Sequence, residues 1–177
     1  MIDILFISEK KIKEASTLND NLWGKYLLPA IKTAQEINLM PILGEKLYDK
    51  LQLLIFERKV EDEENINYKV LLDKFITPYL TYQVLANLVP DISVKLSNAG
   101  TITTTDEHIQ NLSKADRDLL QEKYQNTADA YSYKLIDFLK NNSKDFPEID
   151  ECDFDDKSGS NTGIWLGGMR GKRVFEL

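Results

Sequence analysis

Residues 68–90 read YKVLLDKFITPYLTYQVLANLVP, and the rest of the chain is arranged around them. Val70, Leu71, Leu72, Phe75, Ile76, Tyr79, Leu80, Tyr82, Val84, Leu85, Leu88 and Val89 are apolar. Lys69, Asp73, Thr77 and Thr81 recur every four residues, a thin polar stripe on a helix. In the second half only Gln83 and Asn87 are strongly polar. A helix apolar over most of its circumference has to be covered on several sides. The stretch is therefore expected to be a central helix with others laid around it, kinked at Pro78, where one backbone donor is missing. Asp73 and Lys74 interrupt it, and the uncharged run from Phe75 to Pro90 is shorter than the ~18 apolar residues of a membrane span.

Working outward toward the N-terminus, Ser8 can cap a short helix through about Ala15. Thr17 to Asn21 is turn-like. Trp23, Tyr26, Leu27, Ala30, Ile31, Ala34 and Ile37 then form one helical stripe, closed at Asn38. Pro41 suits the first turn of the next helix, which carries Leu43, Leu47, Leu51, Leu54 and Ile55 on one side and ends near Lys59. The acidic VEDEEN linker that follows favours the N-terminus of the central helix.

Beyond Pro90 the pattern changes. Ile92, Val94 and Leu96 alternate with polar residues, Asn98-Ala99-Gly100 supplies a turn, and Ile102 with its threonines supplies a β-prone return. This predicts a β-hairpin at about residues 92–105. Two strands alone are marginal in water, so the hairpin needs its own helices or another subunit to lean on. Ser113 and Asp116 resemble a capping box for a long helix to about Asn141. Its seam is Leu120, Tyr124, Ala128, Tyr131, Leu135 and Phe138. The fold expected is mainly α, a helical bundle over residues 1–142 around a kinked central helix. Residues 143–177 are expected to form an acidic linker and an extended C-terminal arm. Ile164, Trp165, Leu166, Met169, Val174 and Phe175 are too apolar for an idle linker, so the arm is expected to dock.

The 177 residues are 42% hydrophobic, ordinary for one globular domain with a sizeable core. A net charge of −7 argues against a protein that coats nucleic acid. The single cysteine, Cys152, allows no internal disulfide, and the N-terminus lacks signal-peptide features, so synthesis in the cytosol is expected. No cofactor is expected, and the chain is not read as an enzyme. His108 is alone, Cys152 sits among acids that dull a thiolate, and no His/Cys cluster has zinc spacing. Asp150, Asp153, Asp155 and Asp156 lack EF-hand order, and Gly163, Gly167, Gly168 and Gly171 lack the Lys-Ser/Thr of a phosphate loop. Arg170, Lys172 and Arg173 form a basic cluster, either a solvated end or an ion-pairing contact with an acidic patch on a neighbour, such as Asp150 to Asp156. Tyr124, Tyr131 and Tyr133 have the helical spacing of packing residues rather than of a base-stacking platform.

Residues 27–51, LLPAIKTAQEINLMPILGEKLYDKL, resemble the opening signature of head–tail connector proteins from tailed phages of Bacteroidetes, including the crAss-like group. The matching pieces are Ile31, Ala34-Gln35, Pro41, Leu43-Gly44 and Leu47-Tyr48. Residues 92–102, ISVKLSNAGTI, are similar to that family's hairpin, and residues 161–168, NTGIWLGG, to its C-terminal arm. The resemblance implies a structural virion protein, assembled in the host cytoplasm. It would be an adaptor-ring subunit, a dodecamer docked on the portal protein, that extends the DNA channel without binding DNA specifically and carries the next tail or ring protein. It implies interface roles for Asn98, Ala99 and Gly100 at the hairpin tip and for Ile164, Trp165, Leu166, Arg170 and Arg173 in the arm. A soluble helical protein-interaction adaptor is the alternative, and a small enzyme with a carboxylate site stands behind both.

Overall fold

The computed structural model describes residues 4–15, 24–92, 94–97, 100–103 and 113–149. Over these the protein is mainly helical. Helix α1 (Glu9–Glu14) starts at Ser8, whose hydroxyl accepts from the Lys11 amide at 3.2 Å. Helix α2 (Gly24–Thr33) runs without a break into a π-helical turn (Ala34–Leu39) and then α3 (Met40–Leu43). Gly44, at φ 77°, turns the chain into α4 (Glu45–Phe56). Helix α5 (Ile66–Leu71), a second π-helical turn (Leu72–Ile76) and α6 (Thr77–Ile92) form the central rod. β1 (Val94–Ser97) pairs antiparallel with β2 (Gly100–Thr103), Ser97 opposite Gly100. Helix α7 (Lys114–Asn141) then packs along α6.

The central rod is covered as its composition requires. Leu71, Ile76, Tyr79, Leu80, Val84 and Leu88 are all buried. They meet Leu27, Ile31, Leu39, Leu47 and Leu51 from α2 to α4, and Ala128, Leu135 and Leu139 from α7, in one core. Along the seam between the rod and α7, Phe75 stacks on Phe138 at 4.1 Å between centroids and Tyr82 on Tyr131 at 5.6 Å. Tyr131 is thus a packing residue, whereas Tyr133 is exposed.

Several boundaries differ from the expectation, each for a physical reason. Asn38 does not close its helix. The backbone continues to Leu43, and the break falls at Gly44, the one described glycine with positive φ. The π turn inserts an extra residue, so the buried face advances by one position. Leu39 and Gln35 go inside, and Ile37, expected on the stripe, is 67% exposed. The polar stripe of the rod fades at Thr81, which is buried with its hydroxyl donating to the Thr77 carbonyl at 2.8 Å. Pro90 does not end α6. It lies in the last turns, and Ile92, expected in a strand, is the last helical residue. At Pro78 the irregularity is the π turn just before it, where the Thr77 amide reaches five residues back to the Leu72 carbonyl. The same occurs before Pro41, where the Met40 amide reaches the Gln35 carbonyl. A proline ring crowds the carbonyl four residues back, and a wider turn gives it room.

Helix α4 ends in a Schellman arrangement. The Lys59 amide donates to the Leu54 carbonyl at 2.9 Å and the Arg58 amide to the Ile55 carbonyl at 3.1 Å, with Arg58 at φ 58°. The expected boundary at residue 142 also moves. Phe146, read from sequence as linker, is fully buried against Tyr68 and Phe138, so residues 143–149 belong to the body.

Candidate functional site

Of the interface candidates, Gly100 opens β2 opposite Ser97. Asn98, Ala99, Ile164, Trp165, Leu166, Arg170 and Arg173 lie outside the described residues, as do His108, Cys152 and Trp23. What the structure describes is the parts of the body beside these stretches, termed their roots, and each root carries polar side chains bonded against the apolar core.

The first root, ahead of the strand pair, is the C-terminal half of α6. There the two polar residues of the rod are used. The Gln83 amide donates to Asn87 Oδ1 at 3.2 Å and exchanges bonds with Gln125 of α7 at 3.3 Å each way. Gln125 Nε2 donates to Asp129 Oδ1 at 2.9 Å, and Asn87 Nδ2 to Asn38 Oδ1, in the first π turn, at 3.4 Å. A ladder of amides thus crosses three helices and fixes the height of α6 against both neighbours, because a shift along the rod would strand partly buried donors. Burial, with the Asp129 carboxylate adding to it, pushes the neighbouring Tyr79 hydroxyl well above the usual tyrosine range.

The root of the C-terminal segment is Phe146 to Ile149. The Tyr68 hydroxyl donates to both carboxylate oxygens of Glu148, at 3.0 and 2.9 Å, and the Tyr68 ring meets Phe146 edge-on at 5.3 Å. Burial first, and then Glu148, hold the Tyr68 hydroxyl protonated far above its ordinary range.

The N-terminal segment has a root as well, and sequence reasoning missed it. Gln35 is 2% exposed. Its Oε1 accepts from the Phe6 amide at 2.8 Å, and its Nε2 donates to the Ile4 carbonyl at 2.7 Å and to the Tyr48 hydroxyl at 2.9 Å. One side-chain amide thereby pairs with extended backbone as a neighbouring strand would. The only signal was a glutamine one position off an apolar stripe, which reads as surface unless the π turn is known.

These groups are amides, phenols and single carboxylates. They position helices and segments; at neutral pH neither an amide nor a protonated phenol is a ready base or nucleophile. Among the described residues, no three His, Cys, Asp or Glu side chains gather closely enough to hold a metal ion. Among the same residues, no helix is long and apolar enough to cross a membrane.

Among the described residues, then, the fold is a helical body whose Gln35, Tyr68, Gln83, Asn87 and Gln125 side chains tie its elements together. The chain belongs to the DUF6712 family, described as a family of unknown function, whose model matches residues 39–158. That span runs from the end of the first π turn through the central rod, the strand pair, α7 and the acidic stretch. Neither a curated protein nor a solved structure matches the chain.

Proposed function

We propose that this protein is a head–tail connector subunit, a structural component of a virion that assembles as a ring of its own copies on a portal protein. The observation that carries the reading is the order of three sequence stretches, residues 27–51, 92–102 and 161–168, in one helical chain. The body suits the role, since a ring subunit has to hold projecting parts at fixed places, and the amide ladder and the Tyr68–Glu148 bond brace the described helices from which both stretches lead. In this reading the hairpin tip at Asn98 to Gly100 and the arm around Trp165 touch neighbouring copies or the portal, and the chain catalyses nothing. DNA passes through the channel without specific binding, as the acidic charge favours.

The test is co-purification with a portal protein from the same genome, read by native mass spectrometry and electron microscopy. A ring seated on the portal is the expected result. Deleting residues 160–177 is expected to leave helix content nearly intact and to abolish that assembly. A one-to-one complex with a short peptide segment, and no ring, would favour the second reading, a soluble helical adaptor. That reading draws on Leu119 and Tyr133, both exposed on α7 at a spacing that puts them on one face.

A further inference from the structure

Three of the seven large apolar side chains exposed among the described residues flank the loop that joins α4 to α5, termed the corner. Leu53 (41% exposed) and Phe56 (61%) lie three residues apart on α4, and Ile66 (51%) opens α5. The intervening loop is folded back on itself. Buried Asn65 donates through Nδ2 to the Lys59 carbonyl at 3.0 Å, which brings Ile66 to the same end as Phe56. Single exposed apolar residues are common, but three that flank one closed loop, a phenylalanine mostly in water among them, offer a surface to an apolar segment.

The rim of this corner is acidic. Asp62, Glu63 and Glu64 are exposed beside it, while the ion pairs there use other acids, Glu57 with Lys59 at 2.8 Å and Glu61 with Lys69 at 2.7 Å. An occupant that fits is a short apolar run followed by a few cations. The chain carries one outside the described residues, Ile164-Trp165-Leu166 and then Arg170, Lys172 and Arg173. Position favours it too. The described chain ends at Ile149, one residue after Glu148 meets Tyr68, and Tyr68 is two residues from Ile66. Residues 150–163 can span up to about 45 Å, ample for the same corner or a neighbouring copy's.

We propose that the corner formed by Leu53, Phe56 and Ile66 is the docking site for residues 164–173 of this chain, with Trp165 covering Phe56 and the basic cluster meeting Asp62 to Glu64. The inference stands apart from the connector reading, since it holds whether the segment comes from the same copy or from another.

The test uses the full chain with a photoreactive benzoylphenylalanine at position 165, crosslinked and digested with trypsin. The expected product joins Trp165's position to the peptide of residues 51–58 or 60–69. Phe56→Ser, at an exposed site that does not endanger the fold, is expected to cut the yield about tenfold, the scale of a lost apolar anchor. Reversing the cations (Arg170→Glu with Arg173→Glu) is expected to cut it roughly threefold per charge, and Glu63→Lys with Glu64→Lys to restore it. Crosslinks elsewhere, or a yield unmoved by both sets of changes, overturn the proposal. Mixing isotope-labelled and unlabelled chains separates the sources. A crosslink within one copy upholds the docking and counts against an arm that joins ring subunits, whereas a ring on the portal without this crosslink upholds the connector and removes the docking site.

Discussion

The helix through residues 24–43 and the helix through residues 66–92 each contain a π-helical turn that ends two residues before a proline, Pro41 in one and Pro78 in the other. The backbone device is the same, yet its side chains do different work. The first turn carries Gln35 inward to clamp Ile4, Phe6 and Tyr48, and sets Asn38 against Asn87. The second carries Leu72 and Ile76 inward and Phe75 onto Phe138, with no amide among them. Room for a proline can therefore be the whole use of such a turn, or it can be the means of turning a polar side chain into the core. Pro90 makes the contrast sharper, since it sits near the end of α6 with no π turn before it. Few helical residues follow it there, so the helix has little continuation to keep straight.

The comparison can be broken hardest at Leu80, which has no exposure. Leu80→Asp buries a charge in the apolar rod and is expected to cost more than about 4 kcal/mol, enough to unfold the domain. Circular dichroism reads this directly, and a well-folded variant would remove the central-rod account. Next is Gln35→Leu, which removes the bonds to the Phe6 amide and the Ile4 carbonyl and one contact to the Tyr48 hydroxyl. The expected loss is about 2–3 kcal/mol, with faster amide exchange at Phe6. An unchanged exchange rate would mean that the glutamine clamp holds nothing.

Arg58→Gly lies outside both helices and tests the local bookkeeping of backbone strain. Arg58 adopts φ 58°, a conformation that costs an L-residue about 1 kcal/mol more than glycine. The variant is expected to unfold about 3 °C higher. The smallest effects, within about 1 kcal/mol, are expected for Pro41→Ala and Pro78→Ala, where a regained donor offsets lost chain stiffness. Backbone chemical shifts are the useful readout there. The turn at Leu72–Ile76 is expected to relax toward α in Pro78→Ala, and the turn at Ala34–Leu39 to persist in Pro41→Ala because Gln35 and Asn38 still need their places. Loss of both turns would make proline the sole cause in each.

Much of the architecture could be read from the chain. The caps at Ser8 and Ser113 follow from a hydroxyl beside the first turn, and Ser113 Oγ does accept from the Asp116 amide at 3.1 Å while donating to its carboxylate at 2.6 Å. The seam of α7 follows from steps of four and three, with Ala128 and Leu135 buried and Tyr131 and Phe138 packed against the core. The candidate site was far less legible. The interface residues named from resemblance lie almost entirely outside the described residues, and the polar roots that are described were not singled out as a group. Gln83 and Asn87 stood out as isolated polar residues, but their partners Gln125 and Asn38 lie on other helices, at separations of 42 and 49 residues.

Apolar spacing, cap residues and the length of each uncharged run were local quantities, and they alone settled that this chain is mainly helical with residues 68–90 at its centre. The buried roles of Gln35 and Phe146, the course of the helix past Asn38 and Pro90, and the exposure of Ile37 were decided only when the helices met. A π turn moves the inward face by one residue at a point that no repeat of the sequence marks, and a lone phenylalanine among acids becomes core only because Tyr68 and Phe138 leave a place for it.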